Sequence, residues 1–184
     1  MTAQTADNRI PGDLTREQVL ARILRVDQAG ELGAVRIYQG QRAVLGRGRH
    51  GALLAKMAQQ EQHHLDTFSA LIGERGVRPT LMAPLWHVAG FALGAGTALL
   101  GERVAMACTV AVEEAIDEHY AAQAAILGDD EAELKATIEE FRLEELEHRD
   151  IGLANEAEKA PAYPLLSSAI KGGCKLAIWL SERI

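Results

Sequence analysis

The chain has 184 residues and holds only two cysteines, Cys108 and Cys174, set far apart. They make neither the close pairing of a thiolate metal site nor a disulfide framework; small core residues in a reducing compartment are the simpler expectation. Positive charge is also scarce: the formal net charge is −7, and no basic stretch is interleaved with aromatics. That argues against non-specific nucleic-acid binding. No Gly-x-Gly-x-x-Gly opens a strand-to-helix turn, so a dedicated dinucleotide-binding domain is not expected. Strand signals are nearly absent. The opening stretch MTAQTADNRIPGD is polar, which fits a flexible tail over residues 1–13 and no signal peptide. The remaining length suits one domain, 14–184.

Helix signals, in contrast, are dense. Thr15 and Gln18 form a capping box that opens a first helix running to about Leu45. A second is expected from about Ala52 to Leu71, a third from about Glu102 to Leu127, a fourth from about Glu131 to Glu158, and a last from about Leu165 to Ser181.

The stretch AQQEQHHLDTF places charge where a core belongs. Leu54, Met57, Glu61, His64, Phe68 and Leu71 step by three and four, so all six share one helical face, and its two central members are polar. FRLEELEHRDI repeats the arrangement with Ile138, Phe141, Glu145 and His148. One Glu-x-x-His is weak evidence, because surface charge is the usual fate of these residues. Two copies, each flanked by apolar residues at helical spacing, point elsewhere. Glu31 lies on a row with Leu24, Asp27, Ala34, Val35 and Tyr38, and Glu113 on a row with Met106, Val110, Ile116, Asp117 and Tyr120. The order Glu31, Glu61-x-x-His64, Glu113, Glu145-x-x-His148 reads as a duplicated helical hairpin offset by 82 to 84 residues.

Unpaired core carboxylates are costly. Two divalent cations would remove the cost: four carboxylates neutralise them, two of these can bridge, and two neutral imidazoles add no charge. One Glu from each of two helices plus Glu-x-x-His from each of two others is the ligand pattern of ferritin-like dimetal bundles. Hard oxygens with one imidazole per metal suit iron or manganese. The expected fold is therefore all-α: a ferritin-like four-helix bundle with a long apolar crossover and an extra C-terminal helix. Because metal-bound histidines usually donate their outer N–H to an oxygen, Asp27, Gln60 and Glu144 are candidates to hold a histidine ligand, and Tyr120 belongs to the same outer layer.

The crossover LMAPLWHVAGFALGAGTALL, Leu81–Leu100, carries no formal charge and has the length of a membrane span. Pro84, three glycines and His87 argue against a span, as does the separation it would impose on the two halves of the site. An interfacial helix lying on a membrane is expected, joined by YPLLSSAIKGGCKLAIWLSERI at the C-terminus. Leu85, Trp86, Phe91 and Trp179 are its candidate membrane or substrate contacts. The competing reading for either segment is packing against the bundle.

The stretches RVDQAGELGAVRIYQGQ, RPTLMAPLWHVAGFALGAGTALLG, ACTVAVEEAIDEHY, EELEHRDIGL, APAYPLL and LSERI resemble the 5-demethoxyubiquinone hydroxylase family, from about Arg22 to the C-terminus. Those are di-iron monooxygenases of late ubiquinone biosynthesis. The family's six iron ligands map onto Glu31, Glu61, His64, Glu113, Glu145 and His148. Two departures, Leu32 where an aromatic is usual and Glu118 where a second histidine is frequent, touch no ligand. The resemblance implies two iron ions per chain. It also implies hydroxylation of a polyprenylated demethoxy-benzoquinol, one atom of O2 going to the ring and the other leaving as water. NADH is then an electron source, with the quinone as relay and no dedicated motif. A peripheral place on the cytoplasmic face of the inner membrane follows, with a homo-oligomer or a lipid-binding partner protein as further company. The competing functions are ferritin- or rubrerythrin-like iron storage or peroxide scavenging, with the lack of a four-cysteine segment weighing against rubrerythrin and the apolar crossover against a soluble cage, and a metal-free interaction bundle, which would leave the acids unpaired.

Overall fold

The computed structural model describes Ile10 and residues 12–184; most of the expected tail lies outside the described residues. Six α-helices follow in order: α1 (Arg16–Leu45), α2 (Gly51–Glu74), α3 (Ala83–Leu99), α4 (Glu102–Ile126), α5 (Ala132–Ala154) and α6 (Tyr163–Ser181). No strand occurs among the described residues. α1, α2, α4 and α5 form the bundle of a ferritin-like fold. α3 packs along α1, and α6 packs along α4.

Local chemistry sets the helix ends. Thr15 and Gln18 form the reciprocal capping box at the start of α1. Pro84 and Pro164 sit in the first turns of α3 and α6, where a missing N–H costs nothing. Pro84 therefore starts α3 rather than interrupting it. α5 stops at Ala154, short of the expected Glu158. There the Asn155 side chain donates to the Ile151 carbonyl, Glu156 turns into the left-handed region at φ 63°, and a separate 3-10 turn spans Ala157–Lys159. α2 runs three residues past the expected Leu71.

Two apolar clusters bracket the middle of the bundle. One joins Leu24 of α1, Phe68 of α2, Tyr120 of α4 and Ile138 and Phe141 of α5. The other joins Tyr38, Leu54, Met57, Met106 and Val110 with Ala157 and Ala160. Along every bundle helix the acidic positions fall between these two layers, so water is excluded from both ends.

The outer helices seat closely. A Cβ on Gly94 would collide with the Ile37 carbonyl oxygen, and one on Gly90 would lie 2.7 Å from the Gly33 carbonyl oxygen, so α3 approaches α1 backbone to backbone. A third cluster, with Ile37, Cys108, Ala111, Val112 and Ile170 at its centre, ties α1 and α4 to α6, with Leu93 of α3 packed against it. Lys171 and Lys175 pair with Glu114 and Glu118 of α4. The Thr80 hydroxyl and the Leu81 N–H donate to the Ile184 carbonyl, and Trp86 Nε1 donates to Ser181 Oγ at 2.9 Å. No helix among the described residues is long and apolar enough to cross a membrane.

Candidate metal centre

The four bundle helices each deliver one glutamate to the central layer. Glu31, Glu61, Glu113 and Glu145 are at most 1% exposed, and His64 and His148 are fully buried. Glu61 and His64 lie one turn apart on α2, and Glu145 and His148 one turn apart on α5, so each pair presents both side chains to the same interior line.

Their donor atoms fall into two overlapping groups: Glu31, Glu61, His64 and Glu145, and Glu61, Glu113, Glu145 and His148, each within 4.8 Å. Glu61 and Glu145 belong to both. His64 Nδ1 lies 3.1 Å from Glu145 Oε1, 3.6 Å from Glu31 Oε2 and 4.0 Å from Glu61 Oε2. His148 Nδ1 lies 2.9 Å from Glu61 Oε1 and 3.4 Å from Glu145 Oε2. Each shared carboxylate thus turns one oxygen toward each histidine.

The pattern of unsatisfied atoms tests whether metal fits. Both oxygens of Glu61 and of Glu145, one oxygen each of Glu31 and Glu113 and Nδ1 of both histidines make no hydrogen bond of acceptable geometry, although each Nδ1 lies within 3.1 Å of a carboxylate oxygen. Buried polar atoms are seldom left so. The atoms facing outward, in contrast, are all held. Tyr120 donates its hydroxyl to Glu31 Oε1, and Tyr38 donates to Glu113 Oε1 at 2.6 Å. His64 Nε2 meets Glu144 Oε2 at 2.8 Å, and His148 Nε2 meets Gln60 Oε1 at 3.2 Å. Within the cluster these orphaned carboxylate oxygens and imidazole nitrogens form a donor set that could hold metal ions; outside it, Asp27, Gln28, Gln41, His50 and Gln123 each also carry one orphaned buried atom.

Electrostatics agree. Burial, and then repulsion from Glu145, pushes the Glu61 and Glu113 carboxyls well above the usual range; burial also raises Glu31. Burial opposes ionisation of Glu145 too, but contacts with His148 and His64 hold it at about 2. Three carboxyls that resist ionisation when nothing neutralises them are what a cation in the middle would relieve. Burial and the neighbouring carboxylates keep Tyr38 and Tyr120 well above the ordinary phenol range, so both remain donors.

The outer candidates separate. Gln60 and Glu144 each reach a histidine, and each reaches the one on the opposite helix hairpin. Asp27 does not reach a cluster histidine: it accepts from Gln123 Nε2 at 2.7 Å and lies 3.6 Å from His119 Nε2. Helical spacing places Asp27 beneath Glu31 but cannot show that α4 offers Gln123 there. Tyr38 was missed as a donor, although the sequence signals it: Glu31-x6-Tyr38 and Glu113-x6-Tyr120 have the same spacing, and each tyrosine serves the other's glutamate. Of the candidate surface residues, Leu85 and Trp179 are about half exposed, Trp86 is partly buried against Ser181, and Phe91 lies half-buried beneath the Arg36 guanidinium.

A helical bundle with a buried glutamate–histidine cluster able to hold a pair of metal ions defines the class. Residues 18–181 match the family described as Ubiquinone biosynthesis protein COQ7, and the chain belongs to that family. It is 65% identical over 182 residues to a Rhodospirillum rubrum protein named 3-demethoxyubiquinol 3-hydroxylase, covering 98% of this chain and 86% of that one. It is 57% identical over 167 residues to a Homo sapiens protein named NADPH-dependent 3-demethoxyubiquinone 3-hydroxylase, mitochondrial, covering 89% and 77%. Identity is 43% over 182 residues to the 5-demethoxyubiquinone hydroxylase, mitochondrial, of Saccharomyces cerevisiae, covering 90% and 78%.

Proposed function

We propose that this chain is a di-iron monooxygenase that hydroxylates a polyprenylated demethoxy-benzoquinol with O2, in a single domain spanning residues 14–184. The observation that carries the reading is the set of orphaned donor atoms on Glu31, Glu61, His64, Glu113, Glu145 and His148, in a chain whose relatives are named as quinol or quinone hydroxylases. Two iron ions held there would supply the means to activate O2 next to the substrate ring.

The protein's own part is placement and exclusion. Glu61 and Glu145, which belong to both donor groups, and Glu31 and Glu113, which belong to one each, would hold the metals; the second oxygens of Glu31 and Glu113 are fixed by Tyr120 and Tyr38. Glu144 and Gln60 set the histidine rings so that Nδ1 faces inward. Phe141 stacks on His64 at 4.0 Å, and the apolar layers at both ends keep bulk water out. The exposed apolar residues of α3 and α6 suit a peripheral seat on the cytoplasmic face of an inner membrane, where an isoprenoid tail resides. A second copy or a lipid-binding partner would suit the same face.

A nicotinamide nucleotide is the electron source in this reading, used without a dedicated motif. The names of the animal relatives specify NADPH, so the test includes NADPH as well as NADH. Iron-loaded protein is expected to consume O2 and form hydroxylated product only when the demethoxy quinol is present. Glu113→Ala is expected to abolish this while helix content by circular dichroism stays near that of the parent. Accumulation of many irons per chain, or peroxide turnover without quinol, would instead support storage or scavenging.

A further inference from the structure

The duplication relates the two halves of the centre residue by residue, and it fails at two places. An offset of 82 carries Glu31, Tyr38 and Gln41 onto Glu113, Tyr120 and Gln123; an offset of 84 carries Glu61 and His64 onto Glu145 and His148. Donor atoms and tyrosines are therefore matched pair for pair. The same offsets carry Gln60 onto Glu144 and Asp27 onto Thr109. Gln60 offers His148 a neutral amide oxygen at 3.2 Å, whereas Glu144 offers His64 a carboxylate oxygen at 2.8 Å. Gln41 donates to the Thr109 hydroxyl at 3.3 Å, whereas Gln123 donates to the buried Asp27 carboxyl at 2.7 Å. Both acidic members fall in the half built around Glu31 and His64.

We propose that the two metal positions are unequal by construction: the position held by Glu31 and His64 binds metal more tightly and fills first, and Glu144 is the positioning residue that makes it so. This rests on the dimetal reading above. A carboxylate accepting the outer N–H polarises an imidazole more strongly than an amide does, so Nδ1 becomes the better donor and the ring is held more firmly. Its negative charge also lies one ring away from the bound cation. Gln60 orients His148 in the same way but brings no charge. Asp27, buried one turn before Glu31 on α1, adds a second carboxyl to the same side.

Titrating the metal-free full-length protein with Co2+, followed by visible absorbance and calorimetry, tests this. The parent is expected to take two equivalents in two steps. A weaker second step alone decides nothing, because the first cation repels the second; what decides is which step a variant moves. Glu144→Gln keeps the volume and an oxygen acceptor, and is expected to weaken the first step by about 10-fold while leaving the second in place. Gln60→Glu is expected to tighten the second step by a similar factor and narrow the gap. Thermal stability of both metal-free variants should stay close to the parent's, which a merely structural role for Glu144 would not allow. If the parent takes at most one equivalent, the dimetal reading itself fails. If it takes two but Glu144→Gln leaves the first step unmoved, or shifts both steps equally, the inequality is wrong. Should Glu144→Gln not fold, an unmoved second step in Gln60→Glu overturns the proposal by itself.

Discussion

Individual side chains decide how the metal-free protein responds to pH. Glu31, Glu61 and Glu113 have carboxyls raised by burial, so their contribution to stability is complete below the unfolded value and is lost as pH rises toward the folded one. The histidines act in the same direction. Burial opposes it, but contacts with Glu145 and Glu31 raise His64 to about 12, and His148 is raised by Glu145 and Glu113. Their contribution is complete below the unfolded histidine value of about 6.5 and declines above it. Glu145, held at about 2, is ionised in both states above about pH 5 and contributes no slope there. The metal-free protein is therefore expected to lose thermal stability steadily from about pH 5 to about pH 8. Bound divalent metal should reverse the slope, because its ligands must be deprotonated and binding then strengthens with pH. Scanning calorimetry across this window, with and without Mn2+, checks both signs. A metal-free midpoint that climbs with pH would contradict the account.

Among the elements, α1 carries Glu31 and Tyr38 into the centre and takes α3 along its outer side. The contact depends on glycine. Gly94→Ala would place a Cβ against the Ile37 carbonyl, and overpacking of this kind costs about 1–3 kcal/mol. The melting midpoint is expected to fall by about 2–4 °C for each kcal/mol, and an unchanged midpoint would show that the helices can part without cost. The same elements explain what could be anticipated from sequence. The buried cluster built on Glu-x-x-His twice over was legible because residue type and helical spacing are both written along a single helix. The helix start at Thr15 was legible because a cap is local chemistry; in sequence Pro84 reads as an interruption, although it sits in the first turn of α3. The partners of Asp27 and Tyr38 were not legible, since they depend on how α1 is registered against α4. Nor was the end of α5, where Asn155 and the left-handed Glu156 override a helical pattern that continues in sequence.

At the scale of the whole molecule, the question is what α3 and α6 do together. α3 packs along α1 and α6 along α4, and the two are joined at one end, where the Leu81 N–H donates to the Ile184 carbonyl and Trp86 Nε1 donates to Ser181 Oγ. Leu81, Leu85, Val88, Leu99 and Leu100 of the α3 segment, with Leu165, Leu176 and Trp179 of the α6 segment, stay 49% or more exposed, although the bundle beneath is closely filled. Exposed large apolar side chains concentrated on these two helices suit the interaction surface proposed above, because contiguous apolar patches are uncommon on soluble monomers. In the reading proposed above, a substrate whose tail gains about 0.8 kcal/mol per buried methylene would remain in the bilayer, and the enzyme would have to come to it. Leu85→Glu with Val88→Glu puts two charges on that surface without touching the metal cluster. Phe91 is the wrong place for such a test, because it is half-buried under Arg36 and its replacement would disturb packing. The double variant is expected to lose co-sedimentation with phospholipid vesicles and most activity on a long-tailed quinol. Its activity on a tail-less quinol should stay near the parent's, since Glu31, Glu61, His64, Glu113, Glu145 and His148 are unaltered. Equal loss on both substrates would mean that α3 supports the bundle rather than meeting the bilayer. Vesicle binding that survives both charges would place the membrane contact elsewhere.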